Sequence, residues 1–143
     1  MPMTPAVRFR VDFNPGCSIG AGKIALLEQV ARSGSLSGAA RALGMSYRRA
    51  WLLLDDMNRS FDSHVARASV GGVGGGGVTL TEFGQQLIDE FRTLQSGLQA
   101  LTSARLRAIA SHARASSRER KLSAVSIRRA LPQGSKRATR RAP

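Results

Sequence analysis

The sequence predicts a mainly α fold with a small β-hairpin, on three observations. Apolar residues recur at three- and four-residue spacing in separate stretches between Ile24 and Leu101, the period of helices with one buried face. Two short β-tolerant runs flank a segment in which 6 of the 7 residues from 71 to 77 are glycine. Leu, Ile, Val and Phe supply 27 of residues 1–104 but only 6 of residues 105–143, so a core can form in the front of the chain and not in the tail.

Taken in order, residues 7–13 (Val7-Arg8-Phe9-Arg10-Val11-Asp12-Phe13) alternate apolar and polar, which predicts a strand with one buried face, ended by Asn14-Pro15-Gly16. Its expected partner is the glycine hairpin or a second copy of the chain. A first helix runs from about Gly22 to Arg32 on Ile24, Leu27, Val30 and Ala31, with Gly34 at the left-handed stop position. A short second helix starts at the hydroxyl caps of Ser35-Leu36-Ser37, carries Ala39, Ala40 and Leu43, and stops at Gly44. Ser46 caps a third, whose Ala50, Leu53, Leu54, Met57 and Phe61 form a sustained stripe. Val65 to Val70 and Val78 to Leu80 read as strands joined by the glycine tip. Thr81 then caps a long helix in which Leu87, Phe91, Leu94, Leu98 and Leu101 are spaced 4, 3, 4 and 3, a heptad seam that needs a partner helix. These five are the expected dimerisation residues. Arg105 breaks the seam, a helical extension to about Ala115 is compatible with the pattern, and no order is expected beyond Ser116-Ser117.

Charge divides the chain at the same place. The 143 residues carry 22 Lys and Arg against 9 Asp and Glu, a net +13 that favours a polyanionic partner. Residues 1–104 hold 10 basic and 8 acidic side chains, and residues 105–143 hold 12 and 1. The expected organisation is a DNA-binding and dimerisation domain over 1–104 and a basic, disordered tail over 105–143.

Several classes are disfavoured. With Cys17 as the single cysteine and only His64 and His112 as histidines, neither a disulfide framework nor a thiolate zinc site is available, so no metal and no cofactor is expected. No nucleophile and base set stands out, and the adjacent Asp55 and Asp56 diverge by about 100° on a helix, so no catalytic residue and no enzyme activity is expected. A phosphate-cradling loop fails because Val78-Thr79-Leu80, not Lys and Ser or Thr, follows the glycines. Asn58-Arg59-Ser60 matches a glycosylation acceptor, but inside a predicted helix, and is set aside. Neither an apolar signal core nor a stretch of roughly 20 apolar residues is present, so a cytoplasmic protein without a membrane partner is the expectation.

Residues 36–57 fit a helix-turn-helix: Ala40 permits a close crossing, Gly44 makes the turn, and Ala50 and Leu53 pack back. A generic helical hairpin would use Ala40 and Leu53 equally well, yet gives no reason for Ser46-Tyr47-Arg48-Arg49 at the head of the next helix. There, backbone N–H groups can meet phosphate, Arg48 or Arg49 can fork onto guanine, and Ser46 and Tyr47 can donate to phosphate or a base edge. Arg49 is equally readable as a solvated charge, and Trp51 either packs beneath the hairpin, the favoured reading because a Trp buries so much apolar area, or projects toward the groove. That hairpin reads as a wing whose Gly72, Gly74 and Gly75 let backbone approach a groove, with Arg67 at its base; a flexible connector is the alternative. Ser35, Ser37 and Thr81 complete the expected DNA-contacting set. The architecture is thus a winged helix-turn-helix with a long C-terminal dimerisation helix.

Ile24-Ala25-Leu26-Leu27, Gly34-Ser35-Leu36-Ser37-Gly38-Ala39-Ala40, Gly44-Met45-Ser46-Tyr47-Arg48-Arg49-Ala50-Trp51, Asp56-Met57-Asn58, the wing from Gly71 to Gly77 and Leu80-Thr81-Glu82-Phe83-Gly84 together resemble the N-terminal domain of ModE-type molybdate-responsive transcriptional regulators. LysR-type regulators look similar but more distantly. The resemblance covers about half the chain and implies a homodimer, held by the first and last helices of the unit, whose paired recognition helices read a palindromic operator in double-stranded DNA. The family adds β-rich molybdate-binding modules, and the 39 residues after Ala104 are too few and too basic to form them, which argues against molybdate binding. Thr102-Ser103-Ala104-Arg105 looks like the start of the family's oxyanion motif, but Leu106 stands where Asn is expected. The expected function is a sequence-specific regulator, repressing by operator occupancy and linked to molybdate metabolism. A sequence-tolerant architectural binder driven by the tail, and a protein-interaction module with an acidic partner, stay open as alternatives.

Overall fold

Among the described residues two β-hairpins bracket three helices, and a fourth, long helix follows the second hairpin. The computed structural model describes residues 4–69 and 77–113. In chain order these form β1 (Arg10–Asn14), β2 (Cys17–Gly20), α1 (Ala21–Ser33), α2 (Leu36–Ala42), α3 (Tyr47–Ser60), β3 (Ala66–Ser69), β4 (Gly77–Leu80) and α4 (Glu82–Ala110). This is the mainly α winged helix-turn-helix architecture.

The N-terminal strand corrects one expectation. Within the chain its partner is not the wing but β2, paired antiparallel with Val11 opposite Ile19 and a register irregularity between Asp12 and Asn14. Asn14-Pro15-Gly16 is therefore the hairpin turn, with Gly16 at φ 90°. Cys17 and Ile19 alternate inward on β2, which seats the hairpin on the core. Ahead of β1, the segment from Pro5 to Phe9 lies along α4. Val7 N–H donates to Gln99 Oε1 at 2.9 Å, Gln99 Nε2 donates to the Pro5 carbonyl at 2.9 Å, and Phe9 stacks on Phe91 with ring centroids 4.5 Å apart.

Helix ends follow capping chemistry. Gly34 ends α1 at φ 68°, its N–H donating to the Val30 carbonyl, and Ser35 Oγ accepts from Gly38 N–H to start α2. Gly44 turns the chain at φ 64°, after which Ser46 Oγ accepts from Arg49 N–H to start α3. The core joins Ile24, Leu26, Leu27 and Val30 of α1 to Ala39 and Ala40 of α2, Ala50, Leu54 and Met57 of α3, and Ile88 and Phe91 of α4.

α4 runs unbroken through Arg105 to Ala110, because one charged residue off the buried face costs a helix little. Its seam is not one continuous surface. Phe91 is buried under Phe9, Leu87 packs against the core and Leu98 is half-buried, whereas Leu94 and Leu101 are 52% and 76% exposed. No helix among the described residues is long and apolar enough to cross a membrane. Gly72, Gly74 and Gly75, and the chain from residue 114 onward, lie outside the described residues.

Candidate nucleic-acid interface

α3 presents two opposite faces. Ala50, Leu54 and Met57 turn inward, and at about 100° per residue the opposite direction belongs to Arg48, Leu52 and Arg59. Ser46, Tyr47, Arg48 and Arg49 are all exposed around the first turn. Ser46 Oγ holds the Arg49 N–H at 3.2 Å, so the cap fixes the backbone from which both arginines project. Among the described residues no ion pair engages Arg48, Arg49 or Arg67. The two acidic residues of α3 are paired: Asp55 with Arg59 at 3.0 Å, and Asp56 with Lys23, whose Nζ also donates to the Ser18 carbonyl at 2.7 Å.

Trp51 is 47% exposed, since Ala50 takes the inward direction and Trp51 lies about 100° further round, one turn beyond Tyr47.

Position of the wing relative to α3 depends on Asn58. Its Oδ1 accepts from Val65 N–H at 2.8 Å and its Nδ2 donates to the Ala66 carbonyl at 3.2 Å, so a side-chain amide satisfies the edge of β3 as a neighbouring strand would. On the other edge, Val78 N–H of β4 donates to the Gly34 carbonyl at 2.9 Å, tying the wing to the end of α1. β3 and β4 pair with Arg67 opposite Thr79. Arg67 is exposed on β3, so Asn58 couples that arginine to the helix carrying Arg48 and Arg49.

Thr81 has a structural assignment. Its hydroxyl donates to the His64 carbonyl and accepts from Gly84 N–H at 3.0 Å, so it caps α4 and leaves no free donor for DNA. Gly84 permits this closure: a Cβ there would collide with the Val65 carbonyl oxygen. Ser35 is half-buried with its hydroxyl on Gly38 N–H, while Ser37 is exposed. Asn58 and the α4 anchor Arg92 were missed from the sequence. Arg92 grips Glu28 of α1 through Nε at 2.6 Å and a terminal nitrogen at 2.7 Å. Those hydrogen bonds hold the Glu28 carboxyl below its usual range, against the smaller opposing effect of burial.

Comparison with known proteins agrees with this geometry. Residues 22–85 match the family described as bacterial regulatory helix-turn-helix protein, lysR family. The chain is 40% identical over 88 residues to the molybdenum-pterin-binding protein MopB of Rhodobacter capsulatus, covering 62% of this chain and 33% of that protein. It is 40% identical over 72 residues to the DNA-binding transcriptional dual regulator ModE of Escherichia coli K12, covering 50% of this chain and 28% of that one. The molybdenum transport protein ModE of Azotobacter vinelandii is 32% identical over 93 residues, 65% of this chain and 34% of that protein. The chain thus spans about a third of the length of the curated relatives it matches. The matched stretch begins in α1, contains the whole of α2, the Gly44 turn, α3 and β3 and β4 of the wing, and ends in the first turn of α4, so the part of the chain that is similar to the bacterial regulatory helix-turn-helix family and to the ModE-type proteins is the helix-turn-helix unit itself.

Proposed function

We propose that this chain is a sequence-specific DNA-binding transcriptional regulator that acts as a homodimer on a palindromic operator and represses by occupying it. The observation that carries the proposal is the first turn of α3: a capped helix N-terminus with Tyr47, Arg48 and Arg49 exposed and no ion pair to them among the described residues. A helix N-terminus favours phosphate through its unpaired N–H groups and dipole, and a forked arginine fits guanine O6 and N7 in the major groove. Arg67 on the anchored wing, with Gly72, Gly74 and Gly75 at its tip, is assigned to backbone or minor-groove contact, and Ser35 and Ser37 to phosphate. A second copy would meet Leu94, Leu98 and Leu101 of α4 and the exposed Phe13 of β1, so the face extends from the helix onto the first hairpin. The names of MopB and of the Azotobacter protein support a link to molybdenum metabolism.

Selection of bound duplexes from random DNA by the full chain, with and without molybdate, tests the proposal. A palindrome with half-sites about 34–36 Å apart is expected. Arg48→Ala should cost about 1–3 kcal/mol on the selected site and relax one base position. Enrichment of no motif, with affinity that tracks salt alone, would favour the architectural reading, which the 12 basic against 1 acidic side chains of residues 105–143 support. A monomer at micromolar concentration would refute the homodimer.

A further inference from the structure

Leu52 stands in a position that folding does not explain. It lies on α3 about 170° from the mean direction of Ala50, Leu54 and Met57, and is 48% exposed. Helices of this kind place polar residues there, and its neighbours on that face, Arg48 one turn before and Asp55 and Arg59 after it, obey the rule. Trp51 beside it is also exposed, so the second turn of α3 offers an apolar patch between two charged turns. Asp55 and Arg59 are occupied with each other, which leaves the first two turns as the part of the helix free to read bases.

We infer that Leu52, flanked by Trp51, reads the 5-methyl group of a thymine in the major groove. The inference rests on α3 being the DNA-reading helix. Thymine presents one apolar group on its major-groove edge, and no other base of unmodified DNA does, so an exposed aliphatic side chain on that helix selects it by burying the methyl. Arg48 and Leu52 are four residues apart, about 6 Å along the helix axis. With a rise of about 3.4 Å per base, the thymine read by Leu52 falls about one or two base pairs from the guanine held by Arg48. The apolar pair therefore sets a two-letter preference that charge alone could not impose.

Uracil lacks only that methyl group, which supplies the test. The full chain is titrated against the selected operator and against versions with deoxyuridine replacing each thymine in turn. Wild type should lose about 3- to 5-fold at one thymine per half-site, the effect of one buried methyl. Leu52→Ala should bind the thymine operator weaker by a similar factor, lose its sensitivity to that uracil, and keep its affinity for random duplex. Leu52→Met, which keeps an apolar tip, should retain the sensitivity. Uracil tolerated by wild type at every position, or an undiminished uracil effect in Leu52→Ala, overturns the assignment while leaving DNA binding intact. Failure of the wild-type chain to bind any duplex overturns the DNA-reading role of α3 and this inference with it.

Discussion

Replacing Asn58 with alanine should detach the wing from α3 and reveal how much of the domain's stability that one amide supplies. Two backbone groups lose their partners: Val65 N–H, held at 2.8 Å, and the Ala66 carbonyl, held at 3.2 Å. A further contact from Ala66 N–H to Oδ1, at 3.5 Å, is at the limit of a hydrogen bond and adds little. Val65 and Ala66 are buried, so water does not readily replace the amide. Each orphaned buried group costs about 1–3 kcal/mol, which puts the total at about 2–4 kcal/mol once partial rehydration is allowed. Against a stability of about 5–15 kcal/mol for a domain, that is a large fraction.

Thermal unfolding followed by circular dichroism at fixed protein concentration reads the effect. A folded unit of about 100 residues shifts by about 4–8 °C per kcal/mol, so Asn58→Ala should lower Tm by about 8–32 °C. Asn58→Asp keeps an acceptor for Val65 N–H but sets a carboxylate oxygen against the Ala66 carbonyl, so it should recover only part of the loss. A Tm within about 3 °C of wild type for Asn58→Ala would refute the reasoning, since it would mean that the edge of β3 finds other partners at no cost.

Two other perturbations separate packing from charge. Gly84→Ala gains helix propensity worth about 1 kcal/mol, yet its Cβ would overlap the Val65 carbonyl oxygen and come within 2.9 Å of Leu80 Cδ1, so net destabilisation of about 1–3 kcal/mol is expected in urea unfolding; a neutral or stabilised variant would disprove the close approach. Glu28→Gln tests the clamp to Arg92: because the folded carboxyl titrates below its unfolded value of 4.5, its contribution is present above about pH 4.5 and is lost as pH falls through the depressed folded value, so the variant should lose Tm less steeply than wild type below that pH, and parallel curves would contradict the assignment.

What the sequence made legible was local. Ser35, Ser46 and Thr81 as caps, Gly34 and Gly44 as left-handed stops, and the stripe from Ala50 to Met57 each act within a few residues, where spacing and side-chain chemistry suffice. The misreadings are about partners. Asn14-Pro15-Gly16 reads equally as an end or a turn, and only the seating of Cys17 and Ile19 on the core decides for a turn. The seam of α4 is half used internally because Phe9, 82 positions earlier in the chain, lies on Phe91. Asn58 stands in the sequence only as part of a glycosylation match inside a helix and of the family resemblance, and its role depends on a chain reversal between α3 and β3. Gln99, 92 residues from Val7, and Arg92, 64 residues from Glu28, carry no sequence signal of pairing at all.

Charge shows the same separation between total and placement. Residues 1–104 are nearly neutral, with 10 basic and 8 acidic side chains, which taken alone gives a weak case for binding a polyanion. The structure sorts those charges. Asp55 and Asp56 are held by Arg59 and Lys23, and Glu28 by Arg92, so these carboxylates are neutralised within the fold. Arg48 is also seven residues from Asp55, about 10 Å along the helix axis, which at physiological salt exceeds the screening length of about 8 Å. The field at the first turn of α3 is therefore set by Arg48, Arg49 and the helix N-terminus rather than by the domain's net charge. A phosphate approaching that turn meets a local excess of positive charge.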